Sequence, residues 1–327
     1  MRDSLAALFS VSGFELSERE VAFFKEANPL GFILFARNCD TPKQVRDLTD
    51  SLRAAVGRDC PILIDQEGGR VQRLKPPHWR QYSPMRVFGE MAGAESMDAA
   101  LEALRFAVLQ MAEELRAAGI DVNCAPVLDV LTSGTHDAIG DRAFSDDPMI
   151  VARLGLCVAR NLLAAGVTPV MKHIPGHGRA TMDSHHDLPV VAATMAELEE
   201  SDFLPFKSLA ASDIAPALWG MTAHIIFNAI DPERPVTVSR EGIEGIIRGA
   251  IGFDGFLLSD DLEMKALGRY GDMAERAEMV IEAGCDAALY CAGKLPEMEK
   301  IAESVPKLSV KSLDRLQKAA EYIRLAA

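Results

Sequence analysis

Residues 170–190 read VMKHIPGHGRATMDSHHDLPV and hold four of the chain's seven histidines, His173, His177, His185 and His186, together with Lys172, Asp183 and Asp187. Imidazole, carboxylate and ammonium groups this close in sequence are material for proton transfer, metal ligation or the binding of a polar ligand. Ligation by His173 and His177 as a facing pair needs the i, i+4 geometry of a helix, and PGHG cannot form one. The apolar run 167–171 just before the cluster reads as a buried strand that ends where Lys172 and His173 begin. Barrel enzymes place their chemistry in this way, with a strand delivering polar groups from its C-terminal end into a glycine-rich loop. Gly176 and Gly178 are read as the freedom that lets the loop close over a ligand.

The rest of the chain must position that loop. Apolar runs at 5–11, 31–35, 61–64, 121–127, 168–171, 217–221, 256–258 and 287–290 read as strands. Amphipathic stretches at 42–56, 97–118, 148–165, 195–211, 240–250 and 273–283 read as helices between them. AAG before the fourth and fifth strands and EAG before the eighth put glycine just past a helix, with only a short connection to the next strand. Eight such units without a linker predict an α/β fold, a single (β/α)8 TIM barrel over residues 1–327, with a doubly wound open sheet as the rival. The longest loops follow the third, fourth and fifth strands and would rise from the catalytic face.

Composition narrows the function. Hydrophobic residues make up 49% and charged residues 25%, as in ordinary globular enzymes. The net charge of -14 argues against nucleic acid and membrane surfaces as partners, because both are anionic. Six cysteines, at 39, 60, 124, 157, 285 and 291, form no CxxC pair and predict reduced thiols in a cytoplasmic protein. The opening MRDSLAALF reads as the first strand and not as a secretory signal, since Asp3 stands where basic residues belong. No run is long enough for a transmembrane helix.

In a barrel, polar residues at the C-terminal strand ends converge. IDQEGGRVQRL brings Asp65, Arg70 and Arg73, and APVLDV brings Asp129. IGDRAF brings Asp141 and Arg142, the central stretch Lys172 and His173, MTAHI His224, and LLSDDLEM Asp260 and Asp261. Donors grouped around carboxylates suit a polyhydroxylated ligand. Neighbouring strand residues alternate sides, so Asp260 and Asp261 are not both expected to face the axis. Taken together, KHIPGHG followed by DSHHDLP, with IDQEGGRVQRL upstream and SDDLEM downstream, resembles a family-three glycoside hydrolase. Within the family the likeness is to the single-domain bacterial β-N-acetylglucosaminidases of peptidoglycan recycling. Ile174 departs from the pattern, where phenylalanine is common.

The resemblance implies a retaining exo-β-N-acetylglucosaminidase acting on muropeptide fragments, with no cofactor and no metal. It implies that Asp260 is the nucleophile and that His185, oriented by Asp183, is the general acid/base. Asp65, Arg73, Arg142, Lys172 and His173 match the family's sugar-binding positions. A histidine can serve as the acid because its pKa lies near neutrality, and i, i+2 spacing sets Asp183 beside it on an extended loop. Plainer readings stand beside these. Either aspartate of the SDD run could cap the following turn, and His185 could be a surface histidine. Arg70 reads as a structural ion pair and Asp129 as a barrel-floor residue. His186 and Asp187 read as local partners, and His224 as a pocket residue or a satisfied core histidine.

Four rival functions fit parts of the pattern. A metal-dependent barrel hydrolase could draw on the histidines, yet the HxH motif usual on an early strand is absent. A Schiff-base role for Lys172 needs a lowered pKa, which neighbouring aspartates oppose. A non-catalytic sugar-binding protein has no need of Asp260 or His185. A phosphorylase would use the same site with phosphate in place of water.

Overall fold

The computed structural model describes every residue except Glu95, Ser184, His185, His186 and Ala327, together with the side chains of all but Leu325 and Ala326 among these. Eight strands supply the frame: β1 (Leu5–Phe9), β2 (Pro29–Leu34), β3 (Ile62–Ile64) and β4 (Val122–Asn123), followed by β5 (Thr168–Ile174), β6 (Trp219–Thr222), β7 (Phe256–Asp261) and β8 (Ala287–Tyr290). They pair in sequence order, all parallel, and β8 closes onto β1 to make the barrel. The open-sheet rival is thereby excluded. Both faces of the strands are covered, so they read as nearly continuous apolar runs.

The two faces pack into two cores. Outward side chains such as Phe9, Phe32, Ile62 and Met171 pack against the surrounding helices. Inward side chains fill the barrel: Leu8, Ile33, Leu63, Cys124, Val170, Met221, Leu258 and Leu289. Packing of this kind makes the barrel interior a solid core with its openings only at the ends. The three glycines expected past helix ends, Gly119, Gly166 and Gly284, all have positive φ.

Several boundaries differ from the sequence reading. The fifth strand does not stop before Lys172 but runs through Ile174. Its backbone stays bonded on both sides: Leu128 N donates to Lys172 O at 2.7 Å and Ala223 N to Ile174 O at 2.8 Å. The fourth is shorter than expected, because Pro126 has no N–H with which to extend the ladder. Stretch 195–211 is interrupted by a π-type turn at Leu198–Asp202 ahead of the helix Leu204–Ala210, and Glu241–Ala250 is also π-helical.

The loops at the C-terminal face have structure of their own. After β3, Gln66–Gly68 and Val71–Gln72 form an antiparallel hairpin that turns the chain back over the barrel mouth. Gln66 is fixed to Asn123, whose amide donates to Gln66 O at 2.9 Å and whose Oδ1 accepts from Gln66 N at 3.0 Å. The loop after β5 is held at its base, where Thr135 Oγ1 donates to Gly178 O at 2.5 Å and Arg179 Nε to Asp202 Oδ2 at 2.7 Å. Its far end, Val190–Val191, pairs with Ile226–Phe227 of the next loop. Gly178 has a packing reason to be glycine, since a Cβ there would lie 1.7 Å from Val130 O. Close approach, not hinge freedom, fixes that position. No helix among the described residues is long and apolar enough to cross a membrane.

Candidate active site

The residues around the barrel mouth continue the inward series. Two positions beyond the apolar layer of Ile33, Leu63, Val170, Leu258 and Leu289 come Phe35, Asp65, Lys172, Asp260 and Cys291. All five line one cavity of about 250 Å³, together with Arg70, Arg73, Arg142, His173 and Asp183. The strand period of two therefore carries the chain from core to site without a change of direction.

One wall is a chain of alternating charges. Arg73 Nη2 donates to Asp65 Oδ2 at 3.0 Å, and Lys172 Nζ to Asp65 Oδ1 at 2.8 Å. Lys172 Nζ also lies 2.6 Å from Glu67 Oε1. Arg142 completes the wall with a two-pronged contact to Glu67, both N–O distances being 2.8 Å. Lys172 and Glu67 are each only 2% exposed. Burial alone would raise the carboxyl pKa values, but the adjacent cations outweigh it. Lys172 and Arg73 hold Asp65 well below the carboxylate range, and Arg142 and Lys172 hold Glu67 at about 2. Burial opposes the charge on Lys172, yet Asp65 and Glu67 push its pKa above the ordinary lysine value. A Schiff-base role, which needs the neutral amine, is disfavoured by these charges. Guanidinium carbons of both Arg37 and Arg73 also lie against the Phe35 ring, at 5.0 and 5.3 Å from its centroid.

A second group orients His173. Its Nδ1 donates to Asp129 Oδ2 at 2.7 Å, while the backbone N–H groups of His173 and His177 donate to Asp129 Oδ1 at 3.2 and 2.7 Å. Burial would raise the pKa of Asp129, but His173 and these bonds hold it at about 2. His177 is itself buried, and burial with the neighbouring His173 lowers its pKa to about 4. Its ring packs edge-on to that of His173 with centroids 5.6 Å apart.

Asp260 and Asp261 both border the cavity but are held differently. The β7–β8 register shifts between Leu258 and Asp261, which breaks strict alternation. Asp261 is the capping member: its Oδ1 accepts from Glu263 N and Cys291 N, both at 3.1 Å. Burial raises its pKa to about 6. Asp260 Oδ1 accepts from Asp261 N at 2.8 Å.

Other expectations sort as follows. Asp183 lines the cavity, whereas His185 and His186 lie outside the described residues. Arg70 forms the ion pair read from the sequence, Nε to Asp141 Oδ1 at 2.8 Å, and also borders the cavity. His224 is the satisfied core histidine, its ring shared between Thr237 Oγ1 at 2.8 Å and Asp261 O at 3.0 Å. Among the described residues no three metal-ligating side chains converge.

Comparison with known proteins assigns the architecture to a family. The model of the glycosyl hydrolase family 3 N-terminal domain matches residues 1–325. The chain belongs to glycosyl hydrolase family 3. A curated β-hexosaminidase of Bordetella avium is 35% identical over 96% of this chain and 92% of that protein. NagZ of Neisseria gonorrhoeae, solved in complex with N-trifluoroacetyl-D-glucosamine, superposes with a TM-score of 0.87 at 30% identity, covering 99% of this chain and 93% of that one. A family 3 β-N-acetylglucosaminidase of Paenibacillus sp. also gives 0.87 at 31% identity, with this chain spanning 62% of its length. The protein is thus a family 3 glycoside hydrolase of the β-hexosaminidase kind.

Two residues around this cavity differ from the sequence reading. Glu67 has no role in the sequence reading, although its i, i+2 relation to Asp65 in extended chain is a usable signal. Asp129 was read as a floor residue, but it sits at the mouth beneath His173. Only the fold brings Asp129 and His173 together.

Proposed function

We propose that this family 3 enzyme is a retaining exo-β-N-acetylglucosaminidase that removes a terminal β-linked N-acetylglucosamine from muropeptide fragments of peptidoglycan. The observation that carries the reading is that Asp260 shares one small cavity with Asp65, Lys172 and Arg142 of the ion-paired wall. A cavity of about 250 Å³ suits one sugar ring better than a polymer strand. Paired carboxylates and cations on the wall can accept from and donate to its hydroxyls.

In this reading Asp260 attacks the anomeric carbon and the glycosidic bond breaks, giving a covalent glycosyl–enzyme. His185, steadied by Asp183, gives its proton to the departing oxygen. The same imidazole then takes a proton from water as the water oxygen displaces Asp260, and the sugar leaves with its configuration retained. Asp65, Arg73, Arg142, Lys172 and His173 bind the sugar, and no cofactor takes part. The six cysteines are all free thiols, which supports action in the reducing cytoplasm.

Incubation with a defined N-acetylglucosaminyl-anhydromuropeptide, followed by mass spectrometry and proton NMR, tests the proposal. Release of N-acetylglucosamine first appearing as the β-anomer is expected. An α-anomer first would overturn retention, a sugar 1-phosphate formed only with added phosphate would make the enzyme a phosphorylase, and an intact muropeptide alongside a cleaved aryl glycoside would overturn the substrate.

A further inference from the structure

Glu67 does not line the cavity, yet it touches two cations that do. Its Oε1 lies 2.6 Å from Lys172 Nζ and 2.8 Å from Arg142 Nη2, and its Oε2 accepts from Arg142 Nε at 2.8 Å. We infer that Glu67 is a positioning residue for the reaction, holding Lys172 and Arg142 side by side as charged donors toward the sugar. The inference rests on the reading of those two residues as sugar-binding.

Charge and geometry together support it. Lys172 and Arg142 repel one another, and Asp65 already lies between Lys172 and Arg73. Glu67 supplies the negative charge that lets the second pair of cations sit together out of water. Its two oxygens also fix the plane of the Arg142 guanidinium, which a single point contact could not do. Arg142 Nη1 is then left to donate to Ala138 O at 3.0 Å. The residue itself is locked by the hairpin after β3, where Gln66 is bonded to Asn123 on one side and its amide donates to Leu74 O at 3.0 Å on the other. A glutamine at 67 would keep the shape but turn an NH2 group toward one of the cations.

The test is steady-state kinetics of Glu67→Gln on an aryl N-acetyl-β-glucosaminide, with Lys172→Met, Arg142→Ala and the Glu67→Gln/Arg142→Ala double variant. Folding of each is checked by circular dichroism. Where Glu67→Gln does not fold, Glu67→Asp, which keeps the charge and shortens the reach, replaces it. The expected result is a KM raised about tenfold or more with kcat held within about threefold, as for a lost charge-assisted contact. In the double variant the rise in KM falls short of the product of the single rises by about threefold or more, because both changes act through one guanidinium. A folded variant with wild-type KM, or rises that multiply independently, would overturn the role of Glu67. If Lys172→Met and Arg142→Ala leave KM unchanged, the sugar-binding reading fails first and the inference falls with it.

Discussion

The barrel has a buried ion network at each end, and the one at the mouth lines the cavity of the candidate site. At the N-terminal floor, Asp286 accepts from Arg248 Nη2 at 3.0 Å, Arg315 Nη1 at 2.9 Å, Ser312 Oγ at 2.6 Å and Leu257 N at 2.8 Å. The helix Val310–Ala326 seals this end, laying Leu316 and Ala319 on the barrel interior. Every lone pair of that carboxylate is directed at a neighbour within the fold. At the mouth, the Arg73–Asp65–Lys172–Glu67–Arg142 chain is centred on the equally buried Lys172 and Glu67, but Arg73, Asp65, Lys172 and Arg142 line a cavity. Buried charge is therefore not by itself the mark of a site, because structural networks have it too. The mark is charge whose fixed partners leave one side turned to a cavity.

Breaking each end in turn sharpens that contrast. The largest effect is expected at Asp260: Asp260→Ala lowers kcat on an aryl N-acetylglucosaminide by about 10⁴-fold or more, as for loss of a nucleophile, with the melting temperature little changed. Lys172→Met comes next, with KM raised about 10–100-fold from the lost charge-assisted contact and a loss of stability because Asp65 and Glu67 each lose one of their two cations. Asp286→Asn reverses the pattern. It destabilises by about 3–5 kcal/mol, read in urea unfolding, while kcat/KM at 25 °C stays within about twofold. An equal loss of kcat/KM there would erase the distinction between floor and mouth.

The smallest effect is on pH dependence. Glu67 and Asp129 have folded pKa values of about 2, below the ordinary 4.5 and 3.8. Between these limits the unfolded chain binds more protons than the folded one, so their stabilisation is present above the ordinary values and lost as pH falls toward about 2. Thermal melts across this range should drop on acidification, and the drop should be shallower in Glu67→Gln. Asp261 works in the opposite sense: its pKa of about 6 means that stability from its protonated form is lost as pH rises from about 4 to 6. Asp261→Asn should flatten that part of the curve.

Much of the mouth was legible because one rule governs core and site alike. The strand period that buries Leu63, Val170 and Leu258 points Asp65, Lys172 and Asp260 the same way two residues on. The eight strands could be read because each is a short apolar run set off by a helix and a glycine. What escaped the sequence depends on departures from that rule or on contacts across the barrel. Asp261 joined Asp260 at the cavity through a register shift that no local pattern encodes. Glu67 needed the hairpin to fold back before its partners Arg142 and Lys172, far apart in sequence, could reach it. Asp129 became a mouth residue only because the backbone N–H groups of His173 and His177 converge on it.

The account stands most directly on Asp260 as the group that bonds to the sugar. The measurement is intact-protein mass spectrometry after treatment with a 2-acetamido-2-deoxy-5-fluoro-glycosyl fluoride, followed by peptide mapping. One sugar added per chain, localised to the peptide containing Asp260 and lost on Asp260→Ala, is the predicted result. An adduct on another residue, or none while an aryl N-acetylglucosaminide is still hydrolysed, would contradict it.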